Sequence, residues 1–122
     1  MSKRRALVAE DSLLILVALE MLFEQHGVSI VGQASTVADA LVLAEKGGFD
    51  IAILDINLHG EMVFPAADLL HQRGVPIVFT TGYAPNEMVP PRFVGTPIIQ
   101  KPYDSDALMD LVEQAFAQAK VQ

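Results

Sequence analysis

A doubly wound α/β domain on one parallel sheet is the fold class the sequence predicts, from three observations. Five short apolar runs rich in β-branched residues recur: Ala6–Ala9, Val28–Val31, Ile51–Leu54, Pro76–Phe79 and Pro97–Ile99. Longer segments with helical spacing separate them. The runs are continuously apolar rather than alternating, so each strand is expected to be covered on both faces. Alternating strands and helices with short connections close as right-handed crossovers on one sheet.

Each element has its local justification. The first helix is expected over Ser12–His26 and stops at Gly27; the second spans Thr36–Lys46, opened by the capping-box-like Thr36-Val-Ala-Asp39 and closed by Gly47-Gly48. The third is expected over roughly Glu61–Arg73, starting near Pro65, because proline is tolerated in a first turn, and ending at Gly74. The fourth crossover, Pro85–Val94, carries Pro85, Pro90 and Pro91 and is expected to hold at most a short or irregular helix in a mobile stretch. The last helix is expected over Asp104–Lys120 with Asp104 as its cap.

Composition limits the function. The 122 residues carry 8 Lys plus Arg against 15 Asp plus Glu, a net charge of −7. That length suits a single domain over 1–122 with no effector domain expected, and 52% hydrophobic residues suffice for a core. The acidic balance argues against nucleic acid or an anionic membrane surface as partner. No cysteine is present, which removes disulfide and thiolate chemistry and fits a cytoplasmic setting. The longest apolar run, Leu13–Leu19, is seven residues, far short of the roughly 20 a membrane span needs.

Ligands of open parallel sheets bind beyond the carboxyl ends of the strands. The residues expected there are Glu10-Asp11 after strand one, Asp55 at the end of strand three, Thr80-Thr81 at the end of strand four and Gln100-Lys101 after strand five. Three carboxylates and one ammonium leave a formal charge of −2, and like charges about 4 Å apart repel by roughly 4 kcal/mol at an effective dielectric near 20. A dication would neutralise the group. All-oxygen ligands favour Mg²⁺, with Mn²⁺ as a substitute, over zinc, and Mg²⁺ held by few carboxylates points to phosphate chemistry. Lys101 can pair with Asp55 and keep it ionised, Thr81 can donate to a phosphoryl oxygen, and an ionised Asp can itself attack phosphorus.

These residues resemble the receiver domains of two-component response regulators over essentially the whole chain: Glu10-Asp11, Asp55 within Ile53-Leu-Asp-Ile-Asn57, Thr81-Gly82 and Lys101-Pro102 stand in that family's order and spacing. The resemblance implies a flavodoxin-like (βα)5 sheet of strand order 2-1-3-4-5. It implies Asp55 as phosphoacceptor from a histidine kinase or histidine phosphotransfer protein. It further implies Mg²⁺ held by Glu10, Asp11, Asp55 and the main-chain carbonyl of Asn57, Thr81 and Lys101 on the phosphoryl oxygens, and a cis bond before Pro102. Phe79-Thr-Thr-Gly-Tyr83 also partly resembles the receiver subfamily nicknamed FAT GUY, with Thr80 in place of its alanine and Ala84 where a tyrosine would stand. Ile99 occupies a position that is aromatic in many receivers, which leaves the proline-rich crossover as an alternative moving element.

The expected function is a cytoplasmic stand-alone response regulator that catalyses at most its own phosphorylation and dephosphorylation and signals through an unidentified protein target. A phosphorylation-independent interaction module is the alternative, and an Asp-nucleophile phosphohydrolase a poorer one. Asn57 and Tyr83 are candidates for controlling water access to an acyl phosphate. His26, His59 and His71 share no ligand spacing and read as surface or helix-end residues. In the first helix Ile15, Ala18, Leu19 and Leu22 form the expected core stripe, leaving Leu14, Leu16, Val17, Met21 and Phe23 as a surplus that could dock a phosphodonor or a second copy.

Overall fold

The computed structural model describes residues 4–82 and 89–121. β1 (Arg4–Ala9) is followed by α1 (Leu13–Gln25), β2 (Val28–Ala34), α2 (Val37–Lys46) and β3 (Ile51–Asp55). A small hairpin, β4 (Asn57–Leu58) and β5 (Glu61–Met62), leads to α3 (Phe64–Gln72) and β6 (Ile77–Thr81). A 3₁₀ turn (Pro91–Phe93), β7 (Ile98–Gln100) and α4 (Ser105–Val121) complete the order. Five strands form one sheet, β2-β1-β3-β6-β7, with every neighbouring pair parallel. With the hairpin set aside this is the expected 2-1-3-4-5 order of a flavodoxin-like sheet.

The continuous apolar runs are explained by the two faces of that sheet. Leu7, Ala9, Ala52, Leu54 and Phe79 point into one core shared with α2 and α3 residues such as Ala40, Ala44, Ala67 and Leu70. Their neighbours Ala6, Val8, Ile51, Ile53 and Val78 point into a second core with Leu19 and Phe23 of α1 and Leu108 and Val112 of α4. Successive side chains of a strand face opposite sides, so a strand covered on both must be apolar at every position. The helix ends follow the sequence signals: the Thr36 hydroxyl accepts from Asp39 N–H at 3.1 Å, Asp104 accepts from Ala107 N–H at 3.3 Å, and α2 ends on Gly47 at φ 76°.

Three expectations need correction or completion. Glu61 and Met62 are not the first turn of α3; they pair with Leu58 and Asn57, and the helix begins at Phe64 with Pro65 in its first turn. On α1 Ala18 is exposed, whereas Phe23 is fully buried alongside Leu19. An aromatic ring buries far more apolar area than a methyl group, so the helix is rolled to place Phe23 inward. In the fourth crossover the described part, 89–94, holds a single 3₁₀ turn, as the prolines predict. Phe93 anchors it, stacked on Phe64 at 5.8 Å and edge-on to Phe79 at 5.3 Å, while Arg92 makes two bonds to Asp68 at 2.6 and 3.0 Å. Residues 85–88 of that expectation, and the Tyr83 and Ala84 positions of the FAT GUY motif, lie outside the described residues.

Candidate functional site

The carboxyl edge of the sheet gathers the polar residues because each parallel strand delivers its last residue to the same side. β1 ends at Ala9, so Glu10 and Asp11 follow at the edge; Asp55 closes β3 and pairs in register with Thr80, and Thr81 closes β6 opposite Gln100. Lys101 comes next, its backbone N–H donating to the Thr81 carbonyl at 2.7 Å, and its bond to Pro102 is cis. One carboxylate oxygen from each of Glu10, Asp11 and Asp55 lies within 4.8 Å of the others. The Lys101 ammonium bridges Glu10 Oε1 at 2.7 Å and Asp55 Oδ2 at 2.8 Å. Thr80 and Thr81 are both buried beside this cluster.

Burial sets the electrostatics. Glu10 and Asp55 are 3% and 5% exposed. Desolvation pushes both carboxyls above their ordinary values, against the pull of Lys101. Burial also disfavours the Lys101 ammonium, but its bonds to Asp55 and Glu10 outweigh this and hold its pKa above the usual lysine value. Asp11 differs: it is exposed, and the His59 backbone N–H donating to its Oδ2 at 3.0 Å holds its carboxyl below the ordinary value. Three carboxylates against one ammonium is a cluster short of positive charge, with two of its acids already pushed toward the protonated form. A small hard dication fits this set better than a soft one, since the three converging acids offer only carboxylate oxygens.

Two features were missed in the sequence. The first is the β4–β5 hairpin. Its two loop residues, His59 and Gly60, both have positive φ, 51° and 87°, the geometry of a type I′ turn. An X-Gly pair between short extended runs was the available signal. His59 reads from the sequence as a surface or helix-end residue close enough after Asp55 to tune the site; its side chain is exposed, its backbone holds Asp11, and ring Nδ1 is 4.0 Å from the same carboxylate oxygen. The second is Tyr103, whose ring packs into the α1–α4 core while its hydroxyl is buried with no partner among the described residues. Burial pushes that hydroxyl's pKa up, and the Glu10 charge adds to the effect. His26 caps α1 through a contact with Leu22 O at 2.9 Å, and His71 sits edge-on to Phe93. Both are remote from the acids in role.

Comparison with known proteins decides the family. Residues 6–113 match the model of the response regulator receiver domain. The chain belongs to that family. Among solved structures this receiver is similar to SdrG from Sphingomonas melonis Fr1, at 39% identity and TM-score 0.82 over 94% of this chain and 98% of that one. It is also similar to the response regulator PhyR from Brucella abortus, at 29% identity and TM-score 0.83 over 98% of this chain and 50% of that one. The PhyR likeness loosely backs the partial FAT GUY resemblance. The transcriptional regulatory protein PdtaR of Mycobacterium tuberculosis is 32% identical over 87 residues, which make up 70% of this chain and 42% of PdtaR. The receiver thus spans less than half the length of that curated relative. Among the described residues no helix is long and apolar enough to cross a membrane.

Proposed function

We propose that this receiver is a cytoplasmic signalling switch that takes a phosphoryl group on Asp55 from a histidine kinase or histidine phosphotransfer protein. In this reading it acts through protein contacts. Glu10, Asp11, Asp55 and the main-chain carbonyl of Asn57 are the residues that would hold Mg²⁺. The bound ion supplies charge neutralisation for phosphoryl oxygens. The Asp55 carboxylate attacks phosphorus, the new O–P bond forms as the donor's N–P bond breaks, and the imidazole leaves. Lys101 is already at Asp55 and turns its ammonium to a phosphoryl oxygen, while the Thr81 hydroxyl serves another. No other base is required, because Lys101 pairs with the carboxylate form of Asp55 and transfer is governed by positioning and charge.

The observation that carries the reading is the convergence of three carboxylates and Lys101 at one sheet edge in a member of this family. Incubation with Mg²⁺ and acetyl phosphate, read by intact mass, is expected to add one phosphoryl group to the wild type and none to Asp55→Asn. Equal labelling of both proteins, or of neither, overturns it. The phosphodonor's docking surface in this reading is the outer face of α1, where Leu13, Leu14, Val17 and Met21 are exposed.

A further inference from the structure

We infer that the side chain of Asn57 is a positioning residue for the metal centre: it latches the β4–β5 turn, and the latched turn holds Asp11 in place for the ion. The inference rests on the metal reading above, which uses only the main-chain carbonyl of Asn57, and it concerns that residue's side chain.

The hairpin is fixed at its base and loaded at its tip. Leu58 of β4 and the residues flanking the two strands, Ile56 and Val63, are 1%, 1% and 0% exposed, so its legs cannot shift without opening the core. The base is closed by Val63 N–H donating to Ile56 O at 2.8 Å, and Ile56 N–H ties it to β6 through Thr80 O at 2.9 Å. At the tip, His59 adopts φ 51°, a left-handed conformation that costs a non-glycine residue about 1 kcal/mol or more. A contact must hold it there. The Asn57 Oδ1 atom accepts from Gly60 N–H at 2.8 Å, from inside the turn. This is the local side-chain-to-backbone bond by which Asn stabilises turns.

The consequence lies one residue earlier, where the His59 N–H aims at Asp11 Oδ2 at 3.0 Å. Asp11 is the exposed member of the triad and lacks the Lys101 bridge that fixes Glu10 and Asp55. An exposed carboxylate with free rotamers loses entropy when an ion captures it; one already held by a backbone donor has less to lose. A carboxylate has about four acceptor sites, so this bond sets its direction and leaves capacity for a metal. The same segment also reaches the second acid, since Asn57 N–H approaches Asp55 Oδ1 at 3.4 Å. Thus one side-chain amide oxygen governs a turn whose backbone contacts two of the three acids.

The test is calorimetric titration with Mg²⁺ near pH 8. Asn57→Ala keeps the main-chain carbonyl and removes the latch; it is expected to weaken Mg²⁺ binding about three- to tenfold, the effect of one net hydrogen bond. His59→Asn creates Asn-Gly, the preferred type I′ pair, and restores the turn by an independent route. In the Asn57→Ala background it is expected to return affinity to within about twofold of wild type. His59→Asn alone is expected to bind Mg²⁺ at least as tightly as wild type, which covers the case where Asn57→Ala does not fold. Binding and latching are reciprocal, so Mg²⁺ is expected to slow amide exchange at His59 and Gly60 in the wild type. Unchanged affinity in Asn57→Ala, absence of rescue by His59→Asn, or weaker binding by His59→Asn alone overturns the latch while wild-type Mg²⁺ uptake stands. Absence of Mg²⁺ uptake by the wild type overturns the metal reading itself and the latch with it.

Discussion

Replacing Lys101 by methionine removes the cation while keeping most of the side chain's volume, so it isolates the charge argument. The ammonium lies 2.7 Å from Glu10 and 2.8 Å from Asp55, whose side chains are 3% and 7% exposed. Each contact corresponds to about 6 kcal/mol of gross Coulomb attraction at an effective dielectric near 20, most of it cancelled by desolvation. Removing one partner of such a buried pair leaves a net cost of about 3–5 kcal/mol. Lys101 retains 19% exposure, so water screens part of the interaction and the expected loss is at the lower end, about 3 kcal/mol.

The loss depends on pH with a definite sign. Burial already holds Glu10 and Asp55 above their ordinary 4.5 and 3.8, and without Lys101 they rise further. A carboxyl whose folded pKa exceeds its unfolded one binds its proton more tightly in the folded state. Its burden on stability is therefore absent below the unfolded value and grows as pH rises through the folded value. Lys101→Met is expected to lie closer to wild type near pH 5 than near pH 8, where it lies furthest below it. It also takes the cluster from a formal charge of −2 to −3, so Mg²⁺ should bind it more tightly and restore more stability than in the wild type. Urea unfolding followed by circular dichroism, near pH 5 and pH 8 with and without Mg²⁺, reads all three effects. A loss below about 1 kcal/mol near pH 8, or an equal loss at both pH values, would refute the reasoning.

Tyr103→Phe removes a buried hydroxyl that has no partner among the described residues, without opening a cavity, and is expected to stabilise the protein by about 1–3 kcal/mol in the same urea assay. Leu14→Asp changes a side chain that is 82% exposed and should alter stability by no more than about 0.5 kcal/mol. Labelling of that variant by acetyl phosphate is expected to match wild type, while transfer from a histidine kinase slows; unchanged kinase transfer would remove α1 as the docking face.

Where sequence reading succeeded, the signal was local or was repeated along the chain. The strands were legible because burial on both faces demands apolar residues at every position, as in Ile51–Leu54. The helix ends were legible because caps are short-range bonds: Thr36 to Asp39, Asp104 to Ala107. The acids and Lys101 were legible as a group because parallel strands of one sheet end on one side, which converts order in the chain into proximity in space. The miss on α1 has the opposite cause. Helical periodicity marks an apolar arc but not its centre, and the cores packed against it chose Phe23 over Ala18.

The amino-acid sequence alone determined the doubly wound sheet, its family and which polar residues meet at the carboxyl edge, because these follow from patterning and chain order. The tertiary structure decided how those residues are held: that Lys101 bridges two buried acids rather than pairing with Asp55 alone, that Asp11 is held by a backbone N–H from a hairpin 48 residues away, and that the Tyr103 hydroxyl is enclosed beside them. Desolvation and hydrogen-bond direction depend on distances of a few tenths of an ångström between distant segments. Such distances are set by the packing of the whole core and by no local run of residues.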